Sequence, residues 1–401
     1  MPKKILLVTQ YFYPENFRSN DIAFEMKRKG YMVDVLTGIP NYPEGHYTKH
    51  YGIFSKRVET INGVNIFRSF QTPRGKNATK LGLSLNYFSF ALCATMWAII
   101  YFIFKRKYFA IFVFQTSPIT QAIPAIILGK IKNIPVYTYV LDLWPNAISS
   151  HTNNKYIFNI LNVITNSVYN NSRKILISSK GYEELIIKNW KQNNKIVYFP
   201  NWCDDMLIMH KTVIPELPKG FIIMMAGNIG EAQNIEEIIA TINELKDIPE
   251  IKWAFLGEGS RKKELEDYVK THNLTQNVFL YGRFPFESMP SFYAKASVMW
   301  ISLKTDKVQL RAVIPLRLQS YMSAEKPIIG VGEGSIVQLV KDADCGFVAS
   351  NAKELSSYLR TELLHNSNRL HKMGLNGRNY FEKNFEKNIC INNLCEIIND
   401  K

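Results

Sequence analysis

Short runs of consecutive apolar side chains recur along the chain, separated by stretches in which apolar positions repeat at helical spacing. The runs at 5–8, 32–36, 108–114, 136–141, 174–178 and 195–198 read as strands, several of them apolar throughout as in a buried parallel sheet. Between them, 17–29 (closed by Gly30), 119–131, 156–169 and 180–190 have helical spacing. Asn62-Gly63 stands between two apolar runs in 57–67, which predicts a hairpin. A second series follows, with strands at 221–226, 253–256, 278–281, 298–303, 327–331 and 346–349. Its helices are predicted at 235–245, 261–270, 289–296, 315–325 and 336–343, with more from Ala352 onward. Residues 209–219 carry two prolines and no periodicity, so they divide the chain into domains 1–208 and 209–401. Both are α/β. Each opens with a strand whose exit loop lies at the carboxyl edge of a parallel sheet, where ligands bind in such folds.

One segment departs from this alternation. Residues 81–104 are almost uncharged and end at Lys105-Arg106-Lys107. They are long enough to span a bilayer. Ser84, Asn86, Ser89 and Thr95 interrupt the run, however, and a strand of the same domain follows directly. A helix buried in the fold or lying at a membrane interface is expected, with 105–107 facing anionic head groups.

Charge supports an anionic partner. The 401 residues carry a formal net charge of +15, which favours nucleic acid, an acidic membrane surface or phosphorylated small molecules. Aromatic residues make up 13% of the chain and often neighbour basic ones in the first half, a mixture suited to a membrane interface. The five cysteines are scattered with no CxxC pair, so small buried thiols are expected rather than a zinc site or disulfides. Lys3-Lys4 runs straight into the first strand, so no secretory signal is expected.

Most familiar chemistry has no support. There is no GxGxxG, P-loop, HExxH, GxSxG or EF-hand loop, and the seven histidines show no metal-ligand spacing. His46 and His50 are four apart, but in a loop with no third ligand nearby. What remains is a set of glycine turns at strand ends of the second domain: 227–230, 257–259, 282 and 332–334. Each alone is an ordinary backbone device. Together they place close-approach loops on one sheet edge beside Arg283, Arg311 and Arg317, which suits a nucleoside diphosphate. Gly334 and Ser335 open a helix whose N–H groups would face phosphate; the bland alternative is an ordinary helix–strand–helix unit. In the first domain Asp142 either faces a sugar or caps the helix that follows.

The order of these motifs resembles glycosyltransferase family 4. The resemblance is carried by Tyr11-Phe12-Tyr13-Pro14-Glu15, Gly38-Ile39-Pro40-Asn41-Tyr42-Pro43, Asp142-Leu143-Trp144-Pro145, Gly227-Asn228-Ile229-Gly230 with Gln233, and Val313-Ile314-Pro315 through Pro327. The chain is most similar to bacterial members that transfer N-acetyl-L-fucosamine or a related amino sugar in O-antigen, capsule and lipopolysaccharide assembly. The resemblance implies a GT-B fold, two facing Rossmann-like domains with an inter-domain cleft. The first would face acceptor and membrane, the second would bind the nucleotide sugar, and the last helix would pack back on the first. It implies a UDP-sugar donor, retained configuration, no metal or other cofactor, and a polyprenyl-diphosphate-linked acceptor. It places the enzyme peripherally, on the anionic cytoplasmic face of a bacterial inner membrane.

By residue, the resemblance gives Gly227, Asn228 and Gly230 to the donor loop, Glu258 and Arg283 to the nucleoside, and Arg311, Arg317, Gly334 and Ser335 to the phosphates. Asp142 would face the sugar, while Glu15, Asn41 and Tyr42 lie on the acceptor side. Some positions depart from the family pattern. Two glutamates eight positions apart are usual where Ala312 and Ser320 stand, a histidine where Leu141 stands, Arg and Lys where Asn228 and Gln233 stand, and small residues at Leu316 and Glu325. Two rival functions are a UDP-sugar 2-epimerase of the same fold and a basic nucleic-acid-binding protein. The first needs acidic and histidine groups that are scarce in these loops, and the second lacks any binding motif.

Overall fold

The structure, a computed structural model of the chain, describes residues 2–76, 78–105, 107–148 and 154–400. Arg106, part of the expected basic run, and His151 lie outside the described residues. The chain forms two compact units. The first comprises the chain through Ser178, Tyr182–Phe199 and the end from Ile391; the second comprises Ser179–Gly181 and Pro200–Cys390. The proline-bearing stretch suggested a division after residue 208. Packing divides the chain after Phe199, because Cys203 and Met206 are buried in the core of the second unit.

The first unit contains β1 (Lys4–Val8), α1 (Arg18–Arg28), β2 (Met32–Gly38), β3 (Val58–Ile61), β4 (Val64–Ser69), α2 (Lys80–Trp97), α3 (Ile103–Lys105) and β5 (Ala110–Gln115). It continues with α4 (Ile123–Lys132), β6 (Val136–Val140), α5 (Lys155–Asn171), β7 (Lys174–Ile177), α6 (Gly181–Trp190) and β8 (Ile196–Tyr198). The strands form one sheet in the order β3-β4-β2-β1-β5-β6-β7-β8. Only the β3–β4 hairpin is antiparallel, turning at Asn62-Gly63 with both residues at positive φ. The all-apolar runs are buried along their lengths, as in β5 and β6. The chain's final residues join this unit: the Asn399 amide donates to the Tyr31 hydroxyl at 2.8 Å, and the Tyr137 hydroxyl donates to the Ile398 carbonyl at 3.3 Å.

The apolar segment is neither fully buried nor fully exposed. α2 continues through a π-helical turn (Ala98–Phe102) into α3. Phe90, Ala91, Ala94, Ala98 and Phe102 face the protein, and the polar Asn86 is buried with them. The opposite side shows Leu81, Leu85, Phe88, Leu92, Met96, Ile100 and Phe104 to solvent, Phe88 at 67% and Phe104 at 83% exposure. By length and composition Lys80–Phe102 could cross a membrane.

In the second unit come β9 (Phe221–Ala226), α7 (Ile235–Leu245), β10 (Ile251–Leu256), α8 (Lys262–Thr271), β11 (Val278–Gly282), α9 (Met289–Lys295), β12 (Val298–Ser302) and α10 (Val308–Ala312). There follow α11 (Arg317–Ser323), β13 (Ile328–Val331), α12 (Ser335–Asp342), β14 (Gly346–Ala349), α13 (Ala352–Tyr358), α14 (Ser367–Asn384) and α15 (Lys387–Asn399), whose last part belongs to the first unit. The six strands are all parallel, in the order β11-β10-β9-β12-β13-β14. One core lies against α7, α8 and α13 and includes Ile238, Leu265, Trp300 and Leu355. The other lies against α9, α11, α12 and α14 and includes Phe292, Tyr321, Leu339 and Phe381.

Two helices differ from the sequence reading. The stretch between the strand at 298–303 and the helix expected at 315, for which the sequence predicts no element, contains α10. The helix expected over 315–325 is shorter, beginning at Arg317 and ending at Ser323. Glu325 then takes φ +57°, the left-handed region that favours glycine, which accounts for the small residue expected there.

Candidate functional site

In a doubly wound sheet, neighbouring strands whose connections run to opposite sides leave a crevice at their carboxyl ends. In the second unit that point is β9/β12, with β10 on the far side of β9 and β13 beyond β12. The loop leaving β9 is Gly227-Asn228-Ile229-Gly230, and the loop leaving β10 is Gly257-Glu258-Gly259. They extend the strand pairing by backbone bonds: Gly227 N–H to Leu256 O at 2.8 Å and Ile229 N–H to Glu258 O at 2.9 Å.

This pairing separates the glycines by role. A Cβ on Gly257 would lie 1.9 Å from the Gly227 carbonyl oxygen, and one on Gly259 would lie 2.1 Å from that of Ile229. Those two glycines serve loop-on-loop packing. Gly227 differs: at φ +127°, its Cβ position meets nothing nearer than Arg317 Nη1 at 3.8 Å. Its open side therefore faces a guanidinium.

Arg317 is the first residue of α11 and is only partly exposed. Its Nη2 donates to Gln233 Oε1, while its Nη1 is covered and makes no hydrogen bond. Tyr321, one turn on, ties α11 to the loop: its hydroxyl accepts from Ala226 N–H at 3.1 Å and donates to Ala226 O at 3.2 Å. Burial raises the Tyr321 phenol pKa and the nearby Arg317 charge pulls it down. The result is an anchored cation above a glycine, with one buried donor left unused. Tyr321 was not singled out from the sequence, where a tyrosine on a helix reads simply as core.

The other expected donor-side residues are distributed differently. Glu258 is exposed and pairs with Lys262 at 2.7 Å, and Arg283 and Asn228 are also exposed. Arg311 lies 3.6 Å from Glu333. Gly334, at φ +72°, leaves room for the Arg311 carbonyl, which a Cβ there would meet at 2.2 Å. The Ser335 hydroxyl donates to the Ala312 carbonyl at 3.0 Å. Thus Gly334, Ser335 and Arg311 are engaged with one another's surroundings, while Arg317 keeps a donor in reserve. Ala312 and Ser320, at the positions of the family's glutamates, are both nearly buried.

The first unit gathers its candidates at its own carboxyl edge, where the switch point is β1/β5. Glu15 follows β1 and Asn41-Tyr42 follows β2. Glu15 Oε1 accepts from the N–H groups of Asn41 and Tyr42, both at 2.7 Å. Burial raises the Glu15 carboxyl pKa to about 7, against the opposing pull of those N–H groups and of Arg68. Glu15 therefore holds the neighbouring loop. Asn41 Oδ1 in turn accepts from Arg74 N–H at 3.1 Å, on the loop after β4. The Arg74 guanidinium lies 5.0 Å from the centre of the Tyr42 ring and 5.7 Å from that of Tyr11. Phe17 stacks on Tyr11 at 5.2 Å.

Asn154, not Asp142, caps α5, and Asp142 Oδ2 accepts from the Ser117 hydroxyl at 2.7 Å. Trp144 Nε1 donates to the same Ser117 oxygen at 3.2 Å. Burial raises the Asp142 carboxyl pKa and the Ser117 bonds oppose it. Tyr87 lies on α2. Its phenol pKa is raised by burial, lowered by the Arg74 charge and raised by that of Asp142. The sequence reading did not single out Arg74, Tyr87 or Ser117; the only signal was a basic, glycine-containing turn, Pro73-Arg74-Gly75-Lys76, just before a helix.

All five cysteines are free, and burial pushes the thiols of Cys345 and Cys390 up to about 12, which leaves them protonated at neutral pH. Among the described residues no three His, Cys, Asp or Glu side chains come together as a metal site.

Comparison with known proteins supports the architecture. Residues 210–380 match the family described as glycosyl transferases group 1. A probable glycosyltransferase of Pseudomonas aeruginosa, WbjE, is 23% identical over 202 residues, covering 47% of this chain and 49% of WbjE. The matched region thus spans about half of that relative's length. A putative colanic acid biosynthesis glycosyl transferase of Escherichia coli K12, WcaI, is 20% identical over 327 residues, covering 77% of this chain and 75% of WcaI. Among solved structures, Anabaena HepE in complex with UDP-glucose aligns over 99% of this chain and 100% of its own, with TM-score 0.66 and 14% identity. The fold is the two-domain α/β GT-B type.

Proposed function

We propose that this protein is a retaining glycosyltransferase acting in surface polysaccharide synthesis. It moves a sugar from a UDP-sugar to a polyprenyl-diphosphate-linked sugar acceptor. The donor sugar is an N-acetylated amino-deoxyhexose such as N-acetyl-L-fucosamine. The carrying observation is Arg317: a fixed cation with a buried, unpaired Nη1 facing the open side of Gly227 at the β9/β12 switch point. A buried donor without a partner is costly, and a phosphate oxygen would relieve that cost. The solved complex of HepE with UDP-glucose and the polysaccharide context in WcaI's name support the substrate class.

Catalysis would be chiefly electrostatic. Arg317 neutralises charge developing on the departing diphosphate, with Arg311 nearby, and no metal is required. Asp142, desolvated and held by Ser117, faces the sugar or receives the hydrogen bond of the acceptor hydroxyl. The basic, aromatic first unit receives the acceptor, and the exposed apolar side of α2 lies in the anionic cytoplasmic leaflet of the inner membrane.

Purified protein given a panel of nucleotide sugars and a lipid-linked N-acetylglucosamine acceptor should release UDP and lengthen the acceptor. No release from any donor would refute the function. Epimer formation without acceptor would instead favour the epimerase.

A further inference from the structure

We infer that Arg74, set beside the paired rings of Tyr11 and Tyr42, binds the diphosphate of an isoprenoid-linked acceptor, a role that rests on the proposed transferase function. Arg74 is a preformed cation site. Its backbone N–H is fixed by Asn41 Oδ1, and Asn41 is held by Glu15. Its guanidinium has the Tyr42 and Tyr11 rings 5.0 and 5.7 Å away, and no carboxylate lies within ion-pair distance among the described residues. Ring faces orient a guanidinium without using its N–H donors, which stay available for phosphate oxygens.

What surrounds Arg74 selects the ligand. The first turn of α2 abuts it: a Cβ on Gly82 would lie 2.6 Å from the Arg74 carbonyl oxygen. From that turn the exposed apolar stripe begins at Leu81 and continues through Leu85, Phe88, Leu92 and Met96 towards Phe104. At helical rise the stripe is about 35 Å long. A cation at one end of a long apolar face matches a molecule with an anionic head and an aliphatic chain. A guanidinium pairs with two oxygens of one phosphate, so a phospholipid and an isoprenyl diphosphate share this chemistry; the greater charge of the diphosphate and the acceptor of the proposed transfer favour the second.

The test uses the full-length protein and farnesyl diphosphate, with farnesyl monophosphate, farnesol and inorganic pyrophosphate as comparison ligands, in titration calorimetry. UDP affinity is measured in parallel. Wild type should bind farnesyl diphosphate at least tenfold more tightly than the monophosphate or pyrophosphate, and saturating UDP should not displace it. Arg74→Ala and Arg74→Gln should lose tenfold or more of that affinity and their preference for diphosphate, while keeping UDP affinity and melting temperature. Arg74→Lys should recover part of it.

The inference is overturned if wild type does not bind farnesyl diphosphate, if pyrophosphate binds equally well, if UDP displaces it, or if folded Arg74 variants bind it within twofold of wild type. Those outcomes leave UDP binding and UDP release intact. Failure of both would instead remove the transferase function itself.

Discussion

Replacing Arg317 with alanine should separate stability from ligand affinity. In the free protein the guanidinium makes one hydrogen bond, to Gln233, and leaves Nη1 buried without a partner. The bond, made by a charged donor, contributes about 1.5–3 kcal/mol, and the unpaired donor costs about 1–3 kcal/mol. Removing both leaves the melting temperature of the free protein close to wild type. With UDP bound, the lost interaction is a charge-assisted hydrogen bond worth about 1.5–3 kcal/mol, so Kd should rise about 10–150-fold. At UDP equal to 100 times the wild-type Kd, ligand stabilisation is about 2.7 kcal/mol. For a Kd raised about 30-fold it falls to about 0.9 kcal/mol. The thermal shift on adding UDP should drop from about 5–10 °C to about 2–3 °C. Calorimetry measures the Kd directly, and Arg317→Lys should fall between the two proteins, because it keeps the charge without the fork. A folded Arg317→Ala protein with UDP affinity within twofold of wild type would refute the assignment of α11 to the donor site.

Both glycines are at positive φ and strained by any side chain, but Gly257→Ala should be more damaging than Gly227→Ala, because its Cβ would meet the Gly227 carbonyl at 1.9 Å while one on Gly227 meets nothing nearer than 3.8 Å. Thermal melts of the two variants test this, and equal losses would count against the packing role. Glu15, raised to about 7 from an ordinary 4.5, binds its proton more tightly when folded. Its contribution to stability is therefore complete below about pH 4.5 and lost as pH rises to about 7, worth up to about 3 kcal/mol. Glu15→Gln keeps an oxygen for Asn41 and Tyr42 and should flatten that fall in denaturant titrations; identical slopes would show that Glu15 is not its source. Phe88→Gln with Leu92→Gln should leave the melting temperature unchanged, since both side chains are exposed. It should weaken sedimentation with anionic vesicles by about tenfold per side chain, and unaltered partitioning would remove α2 from the membrane surface.

Much of the scaffold was legible because its signals are local. The runs that became β1, β9 and β13 are apolar on both faces, and only a strand covered on both sides accommodates that pattern. Asn62-Gly63 marked its hairpin because both residues tolerate positive φ. Since loops leave parallel strands at the carboxyl edge, the candidate loops could be placed there before their contacts were known. The short helix α10 was missed because a five-residue segment shows too little periodicity to stand out from a polar loop.

The amino-acid sequence by itself therefore determined element types, the succession of two α/β units and the set of loops at the carboxyl edges of the sheets. The tertiary structure alone decided which members of that set are available. Gly257 is committed to the Gly227 backbone, Arg311 faces Glu333 and the Ser335 hydroxyl is bonded to Ala312, whereas Arg317 retains an unused donor. It likewise brought Arg74 beside Tyr11 and Tyr42, residues 63 and 32 positions earlier in the chain. It also drew Cys203 and Met206 into the second core, moving the boundary before the proline-bearing stretch. Strand and helix propensity act over a few residues and can be read in order. Whether a side chain's hydrogen bonds are satisfied depends on partners brought together only when the sheets assemble.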